Sequence, residues 1–162
     1  MTMNSYIEIS ISDQKLYLNI NEKLSKTFSV STAKNGPGEM NGSECTPRGR
    51  HVIFEKIGHG SQEGTVFVGR KSTGEIFNSS LASQYPQRDW ILTRILRLTG
   101  DEPGRNRGGK VDSLERMIYI HGTPDETMMG IPGSHGCIRM KNEEIVRLFE
   151  LVQEGTLVNI AE

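Results

Sequence analysis

Cysteine, aromatic residues and long apolar runs are scarce in this sequence, and each shortage excludes something. Two cysteines in 162 residues are too few for a disulfide framework. Uncommitted thiols at Cys45 and Cys137 suit a reducing compartment. Neither charge dominates: 19 Lys and Arg face 20 Asp and Glu, a net charge of −1. A nucleic-acid partner would call for a basic footprint that is missing here. No polybasic block or lipidation signal points to a membrane surface. Apolar runs are as short as Met117–Ile120, too short for a bilayer-crossing helix. The opening MTMNSYIEIS has neither the basic start nor the apolar stretch of a secretory signal. The expectation is a cytoplasmic protein, or a periplasmic one if a signal segment has been removed.

Glycine is abundant instead, 18 of 162 residues against a usual share of about 7%. Many tight turns favour a strand-rich domain, and the length suits one domain spanning 1–162. Tyr6–Ile11 and Lys15–Ile20 alternate apolar and polar residues about a polar Ser12-Asp13-Gln14 hairpin. Further strands are expected at Phe28–Ser31, His51–Ile57, Thr65–Val68, Arg116–Ile120 and Thr156–Ile160. The Gly-, Pro- and Asn-rich residues 33–49 and 100–113 read as loops. Two helices are expected. One runs from about Asp89, as N-cap, to Leu98, with Trp90, Ile91, Ile95 and Leu98 on its apolar face. The other runs from about Glu143 to Gln153 behind Asn142 as N-cap, with Ile145, Leu148, Phe149 and Val152 as its buried stripe.

The chemistry concentrates in two segments, Ile120-His121-Gly122-Thr123 and Ser134-His135-Gly136-Cys137-Ile138-Arg139-Met140. A cysteine nucleophile needs a base, because a thiol with a pKa of about 8.5 is mostly protonated at neutral pH. His121 at a strand end, or His135 two residues before the thiol, can supply it. Gly122 and Gly136 remove bulk, and the amides at 135–137 can converge on an oxyanion. Two other readings stand beside this one. His121, His135 and Cys137 could supply three zinc ligands, although His-x-Cys is not a usual paired-ligand spacing. A cysteine can also be simply a small buried hydrophobe.

The stretch IHGTPDETMMGIPGSHGCIRMKNEEIVRLFELVQEGTLVNI resembles the signature half of the L,D-transpeptidase catalytic domain (YkuD-type). That family has a strand ending in His-Gly, a spacer, Ser/Thr-His-Gly-Cys with a following Arg or Asn, a helix and a final strand. Val30-Ser31-Thr32 and Thr46-Pro47-Arg48-Gly49 match its upstream pattern, so the likeness spans about residues 6–160. It implies that Cys137 attacks a peptide carbonyl and forms a thioester, with His121 as base and then acid. The Gly122 carbonyl would orient the His121 ring, and the amides of His135, Gly136 and Cys137 would bind the oxyanion. Arg139, Ser134, Met128 and Arg105 are the candidate substrate-binding residues. No cofactor and no metal are implied.

The implied substrate is a peptidoglycan stem peptide or muropeptide, attacked between the L-centre of its third residue and a terminal D-Ala. Water as acceptor gives an L,D-carboxypeptidase of peptidoglycan recycling, the expectation favoured for a cytoplasmic chain. An amine as acceptor gives a crosslinking L,D-transpeptidase. A non-catalytic peptidoglycan- or metal-binding domain is the remaining alternative, and it would bind stem peptide regardless of Cys137. Arg105 could meet substrate carboxylates or belong to a solvated charged loop, and Met128 could line the cleft. The expected fold is mainly β with peripheral helices, in two mixed sheets packed as a sandwich, a sheet arrangement that comes from the resemblance.

Overall fold

A computed structural model describes residues 4–162, so the first three residues of the expected 1–162 domain lie outside the described residues. The chain is mainly β, with 43% strand and 12% helix. Alternation builds the first hairpin. In β1 (Ser5–Ser10) Ile7 and Ile9 point inward, and in β2 (Lys15–Ile20) Leu16 and Leu18 answer them. The buried Gln14 closes the turn. Its amide donates to the Ile11 carbonyl (2.8 Å) and the Thr32 hydroxyl (2.7 Å), and its oxygen accepts from Thr32 N (3.0 Å). The next strand, β3 (Lys23–Ser29), starts five residues before the expected Phe28, because backbone pairing with β2 orders an exposed polar stretch.

After the loop through residues 30–48 come β4 (Gly49–Ile57), then a hairpin of β5 (Thr65–Val68) and β6 (Lys71–Ile76). The short α1 (Ser79–Gln84) follows, capped by the Asn78 side chain, which accepts from Leu81 N at 2.8 Å. Neither β6 nor α1 has an apolar pattern that would announce it; α1 buries no residue.

The expected helix at 89–98 is not a helix. Ile91–Gly100 form β7, the longest strand, which pairs with β4, β5 and β8 (Tyr119–Thr123). Both of its faces are covered, so its apolar residues run almost continuously and mimic a buried helix. Asp89 is therefore no N-cap. The expected strand start at Arg116 also shifts, since Met117 adopts a left-handed φ of +58° and regular pairing begins at Tyr119.

Within the expected 121–140 loop, Ile138–Lys141 form β9, parallel to β8 with His121 opposite Arg139. Helix α2 (Asn142–Leu151) lays Ile145, Leu148 and Phe149 into the core that Ile120, Ile138 and Met140 share. Asn142 is its first residue rather than its cap, and Lys141 in the cap position makes no side-chain capping bond. Finally β10 (Leu157–Ala161) enters between β1 and β4. The ten strands of the described residues join one curled, mixed, hydrogen-bonded sheet, in place of the two separate sheets expected. Its larger core runs from β1 and β2 to α2, and a smaller cluster of Phe67, Ile95 and Tyr119 lies against Cys137.

Candidate active site

Strand β8 sorts its side chains by parity. Ile118 and Ile120 enter the larger core, which leaves Tyr119 and His121 on the opposite face. Cys137, immediately before β9, packs on that same face against Phe67, Ile95 and Tyr119. Parallel pairing of β8 and β9 thus puts on one sheet face a thiol and an imidazole that are sixteen residues apart in the chain.

His121 is buried, and its Nδ1 lies 2.6 Å from the Gly122 carbonyl. A carbonyl oxygen only accepts, so Nδ1 carries the proton and Nε2 keeps a lone pair. Burial holds His121 below the ordinary histidine pKa; the Gly122 hydrogen bond and the nearby Asp89 oppose that pull. The Cys137 thiol donates to the Met117 carbonyl and accepts from the Tyr119 amide, each at 3.3 Å. Burial pushes this thiol up to about 12, against the Tyr119 amide, which favours the thiolate. Desolvation therefore favours a neutral resting pair: a protonated sulfur and an unprotonated Nε2.

The backbone around the pair is tightly specified. A Cβ on Gly122 would lie 2.5 Å from both the Leu92 carbonyl and Asn142 Oδ1. The approach is close because β7 bulges between Leu92 and Ile95, with Thr93 at a φ of +77°. The Thr93 hydroxyl donates to Asn142 Oδ1 (2.5 Å), and Asn142 in turn donates to Asp125 (3.3 Å). Gly136 has a φ of +134°, and a Cβ there would meet Ile118 Cδ1 at 3.2 Å and the Cys45 carbonyl at 3.3 Å. The buried Thr46 hydroxyl donates to the Gly136 carbonyl and accepts from Ala33 N, both at 2.9 Å. Arg116 fixes the same loop through the Gly38, Glu39 and Cys45 carbonyls.

The other candidates divide. The Ser134 hydroxyl donates to the Cys137 carbonyl (2.5 Å) and accepts from Gly136 N (3.1 Å), so it shapes the loop instead of facing a ligand. That second bond occupies the Gly136 amide, whereas the His135 and Cys137 amides have no partner among the described residues. The His135 ring is largely exposed, with Nδ1 3.8 Å from Asp89. Arg139 is mostly buried and donates to the Gly133 carbonyl (3.1 Å) and to Asp89 (3.0 Å).

A cavity of about 250 Å³ contains Cys137, Phe67, Arg70, Asp89, Tyr119 and His135 in its wall. A second, of about 320 Å³, is bounded by Trp90, Thr127 and Arg139 and shares Asp89 and His135 with the first. Neither is lined by Met128, which is 67% exposed, or by Arg105, which pairs with Glu102 at 3.4 Å. Among the described residues no three His, Cys, Asp or Glu side chains are grouped to hold a metal ion. Asp89, Arg70 and Arg116 are the members of the site that the sequence reading missed. Only Asp89 carried a local signal, and that signal was misread as a helix cap.

Known proteins similar to this chain carry names of one kind. YkuD of Bacillus subtilis is 41% identical over 105 residues, which cover 59% of this chain and 63% of that protein. ErfK/SrfK of Salmonella typhimurium is 28% identical over 159 residues, 98% of this chain and 45% of that protein. Both carry L,D-transpeptidase names. YbiS of Escherichia coli K12, likewise so named, is 47% identical over 45 residues, and this chain spans between 15% and 63% of the length of these relatives. Among solved structures, L,D-transpeptidase 3 from Mycobacterium tuberculosis, as a faropenem-derived adduct, superposes with a TM-score of 0.62 at 16% identity. That superposition covers 99% of this chain and 61% of the other. LdtMt1 in complex with imipenem superposes at 0.58 and 20% identity, over 98% and 59%. At those identities the superpositions establish the fold. The family model described as YkuD, L,D-transpeptidase catalytic domain, matches residues 4–160, so the chain belongs to the L,D-transpeptidase catalytic domain family.

Proposed function

We propose that this chain is a cysteine acyl-transfer enzyme acting on peptidoglycan stem tetrapeptides, with Cys137 as nucleophile and His121 as general base. The reading rests on one observation. A buried imidazole is held through Nδ1 by the Gly122 carbonyl, its Nε2 lone pair left over, on the strand face where the Cys137 thiol packs. Burial opposes charge on both groups, so the proton leaves sulfur for Nε2 as sulfur attacks, and no standing thiolate is needed. The carbonyl attacked is that of the third residue, before the terminal D-Ala. Its oxygen becomes an oxyanion within reach of the His135 and Cys137 amides. Collapse breaks the C–N bond, and His121 returns the proton to the departing D-Ala amine. The acyl group stays on Cys137 as a thioester. Water then gives a proton to His121 and adds to the thioester; the sulfur leaves, taking that proton back from His121, and a tripeptide is released.

Hydrolysis as the outcome makes the protein an L,D-carboxypeptidase. Its two free thiols suit the cytoplasm, where small muropeptides would be its substrates. A second reading has its own observation. The cavity beside Arg139, separated from that of Cys137 by Asp89 and His135, has room for an acceptor amine and would make the enzyme a crosslinking transpeptidase.

Incubation with a disaccharide-tetrapeptide, followed by mass spectrometry, tests both. The expected products are tripeptide and free D-Ala, with Cys137→Ala and His121→Gln each lowering the rate at least about a hundredfold. A crosslinked dimer as main product would favour the second reading. Undiminished turnover by Cys137→Ala would overturn the nucleophile assignment.

A further inference from the structure

Two arginines share the cavity of Cys137, and they differ in what they already hold. Arg116 is spent on the loop: its guanidinium donates to three backbone carbonyls and to the Ser43 hydroxyl. Arg70 donates only to the Tyr119 hydroxyl, at 3.1 Å, a neutral acceptor. No carboxylate lies within 4.0 Å of it among the described residues. A guanidinium offers five N–H donors in a planar fork matched to a carboxylate, and most of this fork is unused.

The backbone adds a second observation. Gly69 and Arg70 form the two-residue connection between β5 and β6, with φ of +57° and +65°. A turn of this kind needs positive φ at both positions, and glycine or asparagine meets that need without strain. This chain keeps a long cationic side chain at the second position. The turn is also short and anchored. Val68 and Lys71 pair directly across it, and Phe67 is packed beside Ile95 and Tyr119, so the guanidinium is presented from a rigid base.

We propose that Arg70 is a specificity-determining residue that binds a carboxylate of the donor peptide while its scissile carbonyl lies against Cys137. This rests on the acyl-transfer reading above and adds to it the charge the donor must carry. The phenol of Tyr119 holds the guanidinium in place before the carboxylate arrives. Apolar Ile91, Ile95 and Phe67 line the same wall and leave a charge-assisted pair to the guanidinium. The carboxylate can come from the terminal D-Ala or from the side chain of the third residue. These share one chemistry and are told apart by amidating each in turn.

The test compares wild type with Arg70→Gln on three tetrapeptides: free acid, C-terminal amide and third-residue side-chain amide. For the wild type, one of the amides is expected to lower kcat/KM by about tenfold or more. Arg70→Gln is expected to lose a similar factor on the free acid and to treat that amide and the free acid alike. Arg70→Lys should recover part of the preference. Calorimetry on Cys137→Ala, with and without Arg70→Gln, reads the same preference without turnover. Equal losses on all three peptides, or an unchanged kcat/KM for Arg70→Gln, would overturn the assignment while leaving the acyl-transfer reading in place. Binding by Cys137→Ala that keeps the Arg70-dependent preference, with no turnover by wild type, would instead defeat the acyl-transfer reading alone. Absence of both binding and turnover would defeat the two together.

Discussion

His51 and His121 are both buried and both donate from Nδ1 to a backbone carbonyl, yet they do different work. The second nitrogen of His51 accepts from the Ser113 hydroxyl at 2.8 Å, so the ring is saturated and can serve only as structure. Burial pulls its pKa from 6.5 down to about 4. Between those values the unfolded chain binds the proton and the folded one does not. Stability is therefore fully present above pH 6.5 and falls as pH drops towards 4, by about 3 kcal/mol in all. Urea unfolding midpoints measured from pH 7 to 4 should show this slope, and His51→Asn should flatten it. His121 differs in that no hydrogen bond claims its Nε2 among the described residues. At this scale the sequence was informative about identity. His-Gly and Ser-His-Gly-Cys mark the proposed base and nucleophile, and Ser134 and Gly136 belong to the loop they were read from. It was uninformative about occupancy, because whether an amide or a guanidinium is already bonded depends on neighbours distant in the chain. Arg105 and Met128 illustrate this, as neither faces the cavity of Cys137.

At the scale of elements, β7 carries the lesson. Its sequence ILTRILRL satisfies a helical spacing, and only its three strand partners show why no polar face was required. The bulge at Thr93 further breaks the alternation that would have identified a strand. That bulge has a counterpart in Gly122, against which the Leu92 carbonyl is pressed. Gly122→Ala should cost about 1–3 kcal/mol through overpacking against backbone that has little room to move, and should displace the carbonyl that holds His121. Gly130→Ala is the control. It has a φ of +83° and nothing within 4 Å of a new Cβ, so it should cost about 1 kcal/mol from conformation alone. Thermal unfolding and kcat together distinguish the two. Activity should fall much further for the Gly122 variant than its loss of stability explains.

Over the whole molecule, the sheet is closed by a strand from the far end of the chain. β10 lies parallel to β1 on one side and antiparallel to β4 on the other, with Val158 opposite both Ile7 and His51. Within the hydrogen-bonded ladder, the hairpin of β1 and β2 therefore reaches β4 and β7 through residues 157–161. Val158→Asp would bury an unpaired carboxyl in the larger core and should cost at least about 3 kcal/mol. The two regions are expected to lose order together, so far-ultraviolet dichroism and the pH-jump exchange of β8 amides should report one transition. A surface charge at Leu157, which is 36% exposed, should change little.

The sequence by itself determined the strand-rich character, the helix α2 and the candidate pair of Cys137 and His121, because alternation, periodicity and a compact motif are local properties. The tertiary structure alone decided that residues 91–100 are a strand, that one curled sheet replaces two, and that Arg70 and Asp89 line the cavity of Cys137. Those outcomes come from pairing and burial between distant segments, where hydrogen-bond partners and desolvation, rather than intrinsic preference, select the conformation.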